Sequence, residues 1–398
     1  MLAMEENELL TRTGAGTPMG ALLRRYWLPA LLSEEISEPD SPPVRVRLLG
    51  EELVAFRDSQ GRVGLLDEHC SHRGTSLFYG RNEECGLRCI YHGWKYDVEG
   101  NVLETPAEPA DSTLKHKVHH KSYPCTEVAG MIFTYMGPKE KMPLFPEFEW
   151  LRLPKGQTFV VKALQECNYL QGLEGDCDSS HLSYLHSSNY ELYRQSDSRP
   201  TLITEETEFG VRMVAIRKAG PEANYVRVTN FIMPLTGHVS AKSNRVHYWA
   251  PVDDTHSWKY SFSFSTEGPV GEAEEASLRG EVGPDYRKIR NFHNNYLQER
   301  QQQKSGNFTG IDGFLAQDSC VTESMGPVCN RTNEHLGKSD VSVIAMRGFL
   351  LDAVRSFQAG KEPPCLAREP RQSFWRPVSI GAVLPSNRSW REVLGQGS

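Results

Sequence analysis

Cys70-Ser71-His72 and, sixteen residues further on, Cys89-Ile90-Tyr91-His92 decide how this chain is read. Each stretch mixes one thiol with one imidazole at short spacing. Zinc sites also use two Cys and two His, but their usual signatures pair Cys with Cys and His with His. The mixed pattern suits a [2Fe–2S] cluster in which two thiolates hold one iron and two neutral imidazoles hold the other. Neutral ligands leave such a cluster less negative than four thiolates would. Its potential rises to roughly −150 to +300 mV, against about −400 mV for the all-thiolate kind. Gly74 and Gly93 follow the two pairs closely and let the backbone turn near the sulfurs. A structural zinc site is the alternative reading.

Outward from this stretch, 398 residues are too many for one ordinary domain and point to two. A net charge of −7 favours neither nucleic acid nor an anionic membrane surface. Nine cysteines, scattered and odd in number, do not form a secreted disulfide framework. Cys125, Cys167, Cys177, Cys320, Cys329 and Cys365 read as reduced small hydrophobes, and Cys85 has no evident partner. The first residues lack the basic and apolar regions of a signal peptide, and no apolar run approaches a membrane span. The expectation is a soluble, cytoplasmic protein.

Residues 1–25 read as a helical arm broken by Gly14-Ala15-Gly16-Thr17-Pro18. Residues 26–137 read as a small antiparallel β domain with strands at Val44–Leu48, Glu52–Phe56, Arg62–Leu66, Trp94–Val98, Asn101–Leu103, Val118–Tyr123 and Met131–Tyr135. Residues 138–150, rich in proline, read as a linker, and 151–398 as a second domain. There, strands at Thr158–Val161, Thr201–Glu206, Val211–Arg217, Tyr225–Ile232, Val246–Pro251 and Trp258–Phe264 suggest one antiparallel sheet. Asn168–His186 reads as helical, Gly268–Gly283 as an acidic mobile loop and Tyr286–Gln302 as a helix with Tyr286, Ile289, His293, Tyr296 and Leu297 on one face. A last helix spans Asp340 to about Phe357, with Val343, Met346, Leu350 and Val354 buried and Ser339 or Asp340 as its cap. The tail after Arg368 reads as irregular.

A second donor-rich stretch is Asp178-Ser179-Ser180-His181-Leu182-Ser183-Tyr184-Leu185-His186. Two histidines and one carboxylate on one side of an iron form the facial triad of non-heme Fe(II) oxygenases, which leaves positions open for O2 and substrate. At roughly 100° per residue, a five-residue spacing puts His181 and His186 about 140° apart on a regular helix. Both reach one metal only if the helix widens or breaks between them. The bland alternative is two ordinary histidines near a surface. The third donor must come from far downstream. Asp312, Asp318, Glu323 and Asp340 are the downstream carboxylates on offer.

The cluster loops Cys70-Ser71-His72-Arg73-Gly74 and Cys89-Ile90-Tyr91-His92-Gly93-Trp94-Lys95 resemble those of Rieske non-heme iron oxygenases. Asp178 to His186 resembles that family's Asp-x-x-His-x4-His motif, and Gln317-Asp318 with Glu323 resembles the stretch holding its ligating Asp. Arg24-Arg25-Tyr26-Trp27-Leu28-Pro29-Ala30 and Glu334-His335-Leu336-Gly337 resemble the subgroup built only from α-type subunits, the phthalate, phenoxybenzoate and dehydrodivanillate-demethylating enzymes. Ser71 departs from the proline common there and is expected to loosen the loop slightly.

The resemblance implies an α+β protein in which a β-rich Rieske [2Fe–2S] domain joins a helix-grip catalytic domain with a mononuclear Fe(II). It implies Cys70, His72, Cys89 and His92 as cluster ligands, and His181, His186 and Asp318 as iron ligands. It makes Asp178 a bridge from His181 to a cluster histidine of a neighbouring subunit, in a homotrimer or dimer of trimers. It implies electrons from a separate NAD(P)H-dependent reductase of the flavin and ferredoxin type; no Gly-x-Gly-x-x-Gly follows a strand here, so the chain does not look able to bind the nicotinamide or flavin itself. The implied reaction oxygenates an aromatic carboxylate, a diaryl ether or biaryl acid, by dioxygenation or O-demethylation. The alternatives are a Rieske-type enzyme for another aromatic or a non-aromatic substrate, and a pure electron carrier. A carboxylate substrate requires a cation in a mostly apolar pocket. Arg212, Arg227 and Arg245 lie on the predicted sheet, and each reads first as a surface or structural arginine.

Overall fold

The computed structural model describes residues 1–189, 196–240 and 244–395. Its α+β architecture is two packed β bodies with helices gathered on the second. The arm carries α1 (Met4–Thr11) and α2 (Pro18–Leu23), the latter capped by the Thr17 hydroxyl, which accepts from the Gly20 amide. In the first β body, β1 (Trp27–Leu32) pairs with β10 (Met131–Tyr135), which pairs with β9 (Cys125–Val128). β2 (Val44–Leu48), β3 (Glu51–Arg57) and β4 (Val63–Asp67) form a meander. β5 (Arg81–Glu83), β6 (Gly86–Arg88), β7 (Lys95–Tyr96) and β8 (Val102–Glu104) form a third small sheet, which carries the second Cys-His pair on the turn between β6 and β7. The expected strand over 118–123 is not formed. That segment makes only isolated bridges, Ser122 to Leu66 and His119 to Asn101, and the regular strand begins at Cys125.

Residues 138–150 lead through short β11 (Glu147–Phe148) into the second body. Its sheet runs β12 (Thr158–Gln165), β18 (Ser257–Phe264), β17 (Asn244–Pro251), β16 (Thr236–Ser240), β15 (Ala223–Ile232), β14 (Gly210–Lys218), β13 (Thr201–Thr207), all antiparallel. The tail is not irregular. After β19 (Phe374–Trp375) comes β20 (Ile380–Pro385), which pairs with Ala223–Val228 of β15, while β16 takes the other end of the same strand. One long strand thus serves two neighbours.

The helices on this sheet are α3 (Tyr169–Cys177), α4 (Glu272–Arg279), α5 (Gln302–Ser305), α6 (Phe314–Glu323), α7 (Val341–Gln358) and α8 (Trp390–Gly395). On α7 the apolar stripe Val343, Met346, Leu350 and Val354 is buried as its period requires. Asp340 occupies the cap position but turns its carboxylate back to the Gly337 amide.

Two expectations fail here. The acidic stretch 268–283 holds α4, anchored by buried Leu278 and by Glu274 paired with Arg245. The stretch 286–302 is not an α-helix. Tyr286, Asn295, Tyr296 and Leu297 have positive φ, and Ile289, His293 and Leu297 are exposed. Tyr296 turns inward because its hydroxyl donates to Glu323 Oε2 at 2.5 Å, a buried partner that a straight helix would not reach.

One apolar core crosses both bodies. Leu31, Met131 and Phe133 of the first meet Tyr248, Trp249 and Phe262 of the second, and Trp150 at the junction donates its Nε1–H to Tyr248 Oη at 3.0 Å. All nine cysteines are free; Cys167 and Cys177 are buried, whereas Cys125, Cys320, Cys329 and Cys365 are half-buried. Among the described residues no helix is long and apolar enough to cross a membrane.

Candidate active site

The two Cys-His loops meet at one end of the first β body. The Gly74 amide donates to the Cys70 carbonyl at 2.8 Å and the Gly93 amide to the Cys89 carbonyl at 3.0 Å, so each pair sits in a tight turn. Both glycines have φ near +75°, a conformation that a side chain disfavours. The His72 and His92 ring centroids are 4.5 Å apart, and Trp94 stacks on His72 at 4.9 Å and 4°. Cys70 and Cys89 are buried, and His72 Nδ1 is buried without a hydrogen-bond partner among the described residues. Two thiols and two imidazoles converging at one place, one with an orphaned nitrogen, fit a two-Cys, two-His iron–sulfur cluster. Tyr96 Oη lies 3.0 Å from Cys70 Sγ. Ser71 does not loosen this loop, because its hydroxyl donates to buried His120 Nδ1 at 2.6 Å.

The second donor set lies on the catalytic sheet. The expected helix from 168 to 186 stops at Cys177, and Asp178 takes an extended conformation. The chain then makes a 3₁₀ turn over Ser180–Ser183. This break lets the two histidines face one point, with ring centroids 5.1 Å apart. Leu182 is buried against Tyr225 of β15, and Arg217 of β14 donates to the Ser179 carbonyl and hydroxyl, so the turn is pinned to the sheet.

Asp318 comes from the middle of α6. One donor atom from each of His181, His186 and Asp318 lies within 4.8 Å of the others, and this is the one such group among the described residues. Of the rivals, Asp312 is exposed near Arg290. Glu323 binds the Glu166 amide, Lys288 and Tyr296, and Asp340 binds Gly337 and Ser339.

Donor chemistry supports a cation here. His186 Nδ1 lies 2.8 Å from Gln317 Oε1, which can only accept, so the hydrogen is on Nδ1. The neutral ring then turns a lone pair at Nε2 toward Asp318 Oδ1, 2.9 Å away. Two acceptors facing one another are satisfied by a positive centre. With no cation between them a protonated His186 would take that part: burial pushes the Asp318 carboxyl up, and a charged His186, then Lys259 and His181, would hold it below the usual carboxylate range. Lys259 Nζ is 3.9 Å from Asp318 Oδ2. Burial likewise raises Asp178, and the His181 ring with the Ser180 and His181 amides brings it below its ordinary value. Asp178 Oδ2 lies 3.3 Å from His181 Nδ1.

Beside these donors opens a cleft of about 1040 Å³, counting its mouth, walled by Val161, Leu182, Val239, Leu278, Phe314 and Leu315. Arg227 and Arg245 also line it, contrary to their first reading as surface or structural groups, whereas Arg212 faces Glu205. Arg245 is paired with Glu274. Arg227 is 6% exposed, and its Nε and Nη1 have no hydrogen-bond partner among the described residues. Sequence reasoning missed Gln317, Lys259 and Asp176. Asp176 accepts from His247 Nδ1 at 2.7 Å and Trp249 Nε1 at 2.6 Å beneath the cleft. The position of Gln317 next to Asp318 was the one available signal.

The Rieske [2Fe-2S] domain model matches residues 26–124, and the "LigXa C-terminal domain like" model matches residues 134–396.

The chain belongs to the Rieske non-heme iron oxygenases.

It is 41% identical to the phthalate 4,5-dioxygenase oxygenase subunit of Pseudomonas putida, over 98% of this chain and 94% of that one. It is 34% identical to the 3-chlorobenzoate-3,4-dioxygenase oxygenase subunit of Comamonas testosteroni, over 100% and 98%. The crystal structure of dicamba monooxygenase bound to dicamba superposes with a TM-score of 0.62 at 17% identity, over 85% of this chain and 99% of that one, a likeness of fold. A Rieske oxygenase carries a Rieske [2Fe–2S] cluster and a mononuclear iron and uses O2. The two donor sets fit these two groups.

Proposed function

We propose that this Rieske oxygenase is the terminal component of an aryl-carboxylate oxygenase fed by a separate NAD(P)H reductase. In this reading, residues 26–137 are the electron-receiving domain and 151–398 the catalytic domain, joined by the 138–150 linker, with 1–25 as an arm. Cys70, His72, Cys89 and His92 hold the cluster, and His181, His186 and Asp318 hold the iron. When bound, the cluster supplies one-electron transfer and the iron supplies O2 activation.

The observation that carries the substrate class is Arg227. A buried guanidinium whose Nε and Nη1 lack partners among the described residues costs several kcal/mol of lost hydration, roughly, unless an anion meets it. Its planar fork matches a carboxylate. The apolar wall opposite accommodates an aromatic ring. Arg227 therefore binds and orients the substrate carboxylate, and the cleft excludes water from the ring. Phthalate and 3-chlorobenzoate, which the two relatives' names carry, are both aryl carboxylates. Dioxygenation and O-demethylation of a diaryl ether or biaryl acid both remain within this class.

The oligomer is a head-to-tail homotrimer, alone or stacked in pairs, a heterologous arrangement that closes by rotation. Asp178 then bonds His181 of its own chain and a cluster histidine of the neighbour. In support, exposed Tyr184, Phe308, Val321 and Met325 flank Asp178, and exposed Ile90 and Tyr91 tip the cluster loops. Apolar surface of that kind asks for cover.

The test is NADH-dependent O2 uptake with a surrogate reductase and a panel of aromatic acids, with products identified by mass. Turnover of phthalate or a chlorobenzoate, and none of the matching methyl esters, is the expected result. Equal turnover of acids and esters refutes the carboxylate reading.

A further inference from the structure

Behind the first cluster loop, four side chains close a set of contacts. His120 is 1% exposed and its Nε2 lies 2.9 Å from the Asp67 carbonyl oxygen. A carbonyl only accepts, so Nε2 carries the hydrogen, and Nδ1 of the neutral ring presents a lone pair. Ser71 Oγ–H donates to that lone pair at 2.6 Å. Burial holds the His120 imidazole below its ordinary value, which keeps the ring neutral and Nδ1 an acceptor.

One face of the His120 ring lies against the Tyr96 phenol, with centroids 4.4 Å apart at 33°. Tyr96 is fully buried, and its hydroxyl is 3.0 Å from Cys70 Sγ. A ligated thiolate can only accept, and the Tyr96 hydroxyl must then be the donor. A donor on a cluster sulfur stabilises the more negative, reduced state and so raises the potential. The donor counts only while the phenol is aimed at the sulfur. The His120 ring packs on the phenol and is itself held at both nitrogens, by Asp67 on one side and Ser71 on the other.

We propose that Ser71 and His120 are positioning residues that hold the Tyr96 hydroxyl on Cys70 Sγ and thereby set the midpoint potential of the cluster. Ser71 lies within the ligand loop itself, between Cys70 and His72, so it couples the loop to the buried ring. The proposal rests on Cys70 being a cluster ligand.

The experiment is a spectroscopic redox titration of the full chain at fixed pH. The proteins are wild type, S71A, S71T, H120A, Y96F, and S71A and H120A each combined with Y96F. Y96F lowers the midpoint. S71A and H120A lower it in the same direction by a smaller amount, and S71T, which keeps the hydroxyl, matches wild type. Added to Y96F, neither S71A nor H120A lowers it further. An intact cluster whose midpoint ignores S71A and H120A overturns the proposal. So does a decrease as large in the Y96F background as in wild type, because these residues would then act independently of Tyr96. If H120A loses its cluster, the S71A pair alone decides. C70S separates the underlying reading: retention of an unaltered visible spectrum in C70S refutes Cys70 as a ligand, whatever the midpoints do.

Discussion

Gln317 and His186, 131 residues apart in the chain, are joined by a 2.8 Å hydrogen bond from His186 Nδ1–H to Gln317 Oε1. The amide orientation is fixed by its other end. Gln317 Nε2 donates to the Ile311 carbonyl at 2.7 Å, and a carbonyl cannot donate back. Gln317 is fully buried and so has no other orientation to relax into. The consequence is a His186 tautomer with its Nε2 lone pair held toward Asp318.

Gln317→Leu removes that acceptor and leaves Nδ1–H buried and unpaired. Iron affinity should fall about 10- to 100-fold, as for the loss of other outer-shell partners of a ligand histidine. Gln317→Glu keeps an acceptor and should lose less. Titration of iron into the apo mononuclear site, with the visible cluster spectrum as an internal control, measures both.

Alanine at His181, His186 or Asp318 should remove the mononuclear iron and abolish turnover while the cluster spectrum survives. Asp312→Ala should change neither. Iron analysis of each variant, expressed against cluster absorbance, checks the assignment. Full iron in Asp318→Ala would contradict it.

Arg227→Met keeps the length and apolar stem of the side chain but removes the charge. Hydrogen bonds to charged groups contribute roughly 1.5–3 kcal/mol. KM for an aryl carboxylate should therefore rise about 10- to 150-fold, with a smaller change in kcat. Binding of a neutral ester of the same ring should not change. An unaltered KM for the acid would remove Arg227 from the substrate site.

Asp178→Asn keeps the size of the side chain and removes the charge beside His181. Normal iron, an intact oligomer and a reducible cluster are expected, with product formation nearly lost. Mixing inactive His72 and His181 variants under conditions that exchange subunits should restore part of the activity, because some interfaces then pair a good cluster with a good iron. A fully active monomer would rule out transfer between subunits.

Gly172 of α3 lies against the Trp249 ring, and a Cβ there meets that ring. Gly172→Ala should cost about 1–3 kcal/mol by overpacking. It should also displace the Trp249 indole from Asp176, which tryptophan fluorescence and a lowered Tm would both report.

The sequence by itself determined what depends on neighbours along the chain. The cluster loops were legible because all four candidate ligands fall between residues 70 and 92 and a glycine closes each turn. That no regular helix brings His181 and His186 to one metal followed from helix geometry, and α7 from its apolar period. Tertiary structure decided the rest. The face of β15 that carries Arg227 looks like any other alternating strand until the cleft forms over it, because a period of two says nothing about which face is covered. β20 was invisible because its partner, β15, lies about 150 residues earlier and its own pattern is weak. The apolar spacing over 286–302 favoured a helix, yet the buried Glu323 carboxylate draws in Tyr296 and Lys288. Satisfying a buried charge outweighs the modest gain of one exposed helical stretch. For the same reason Gln317 carried no signal beyond its place next to Asp318: a buried amide acquires its role only when a distant histidine is brought to it.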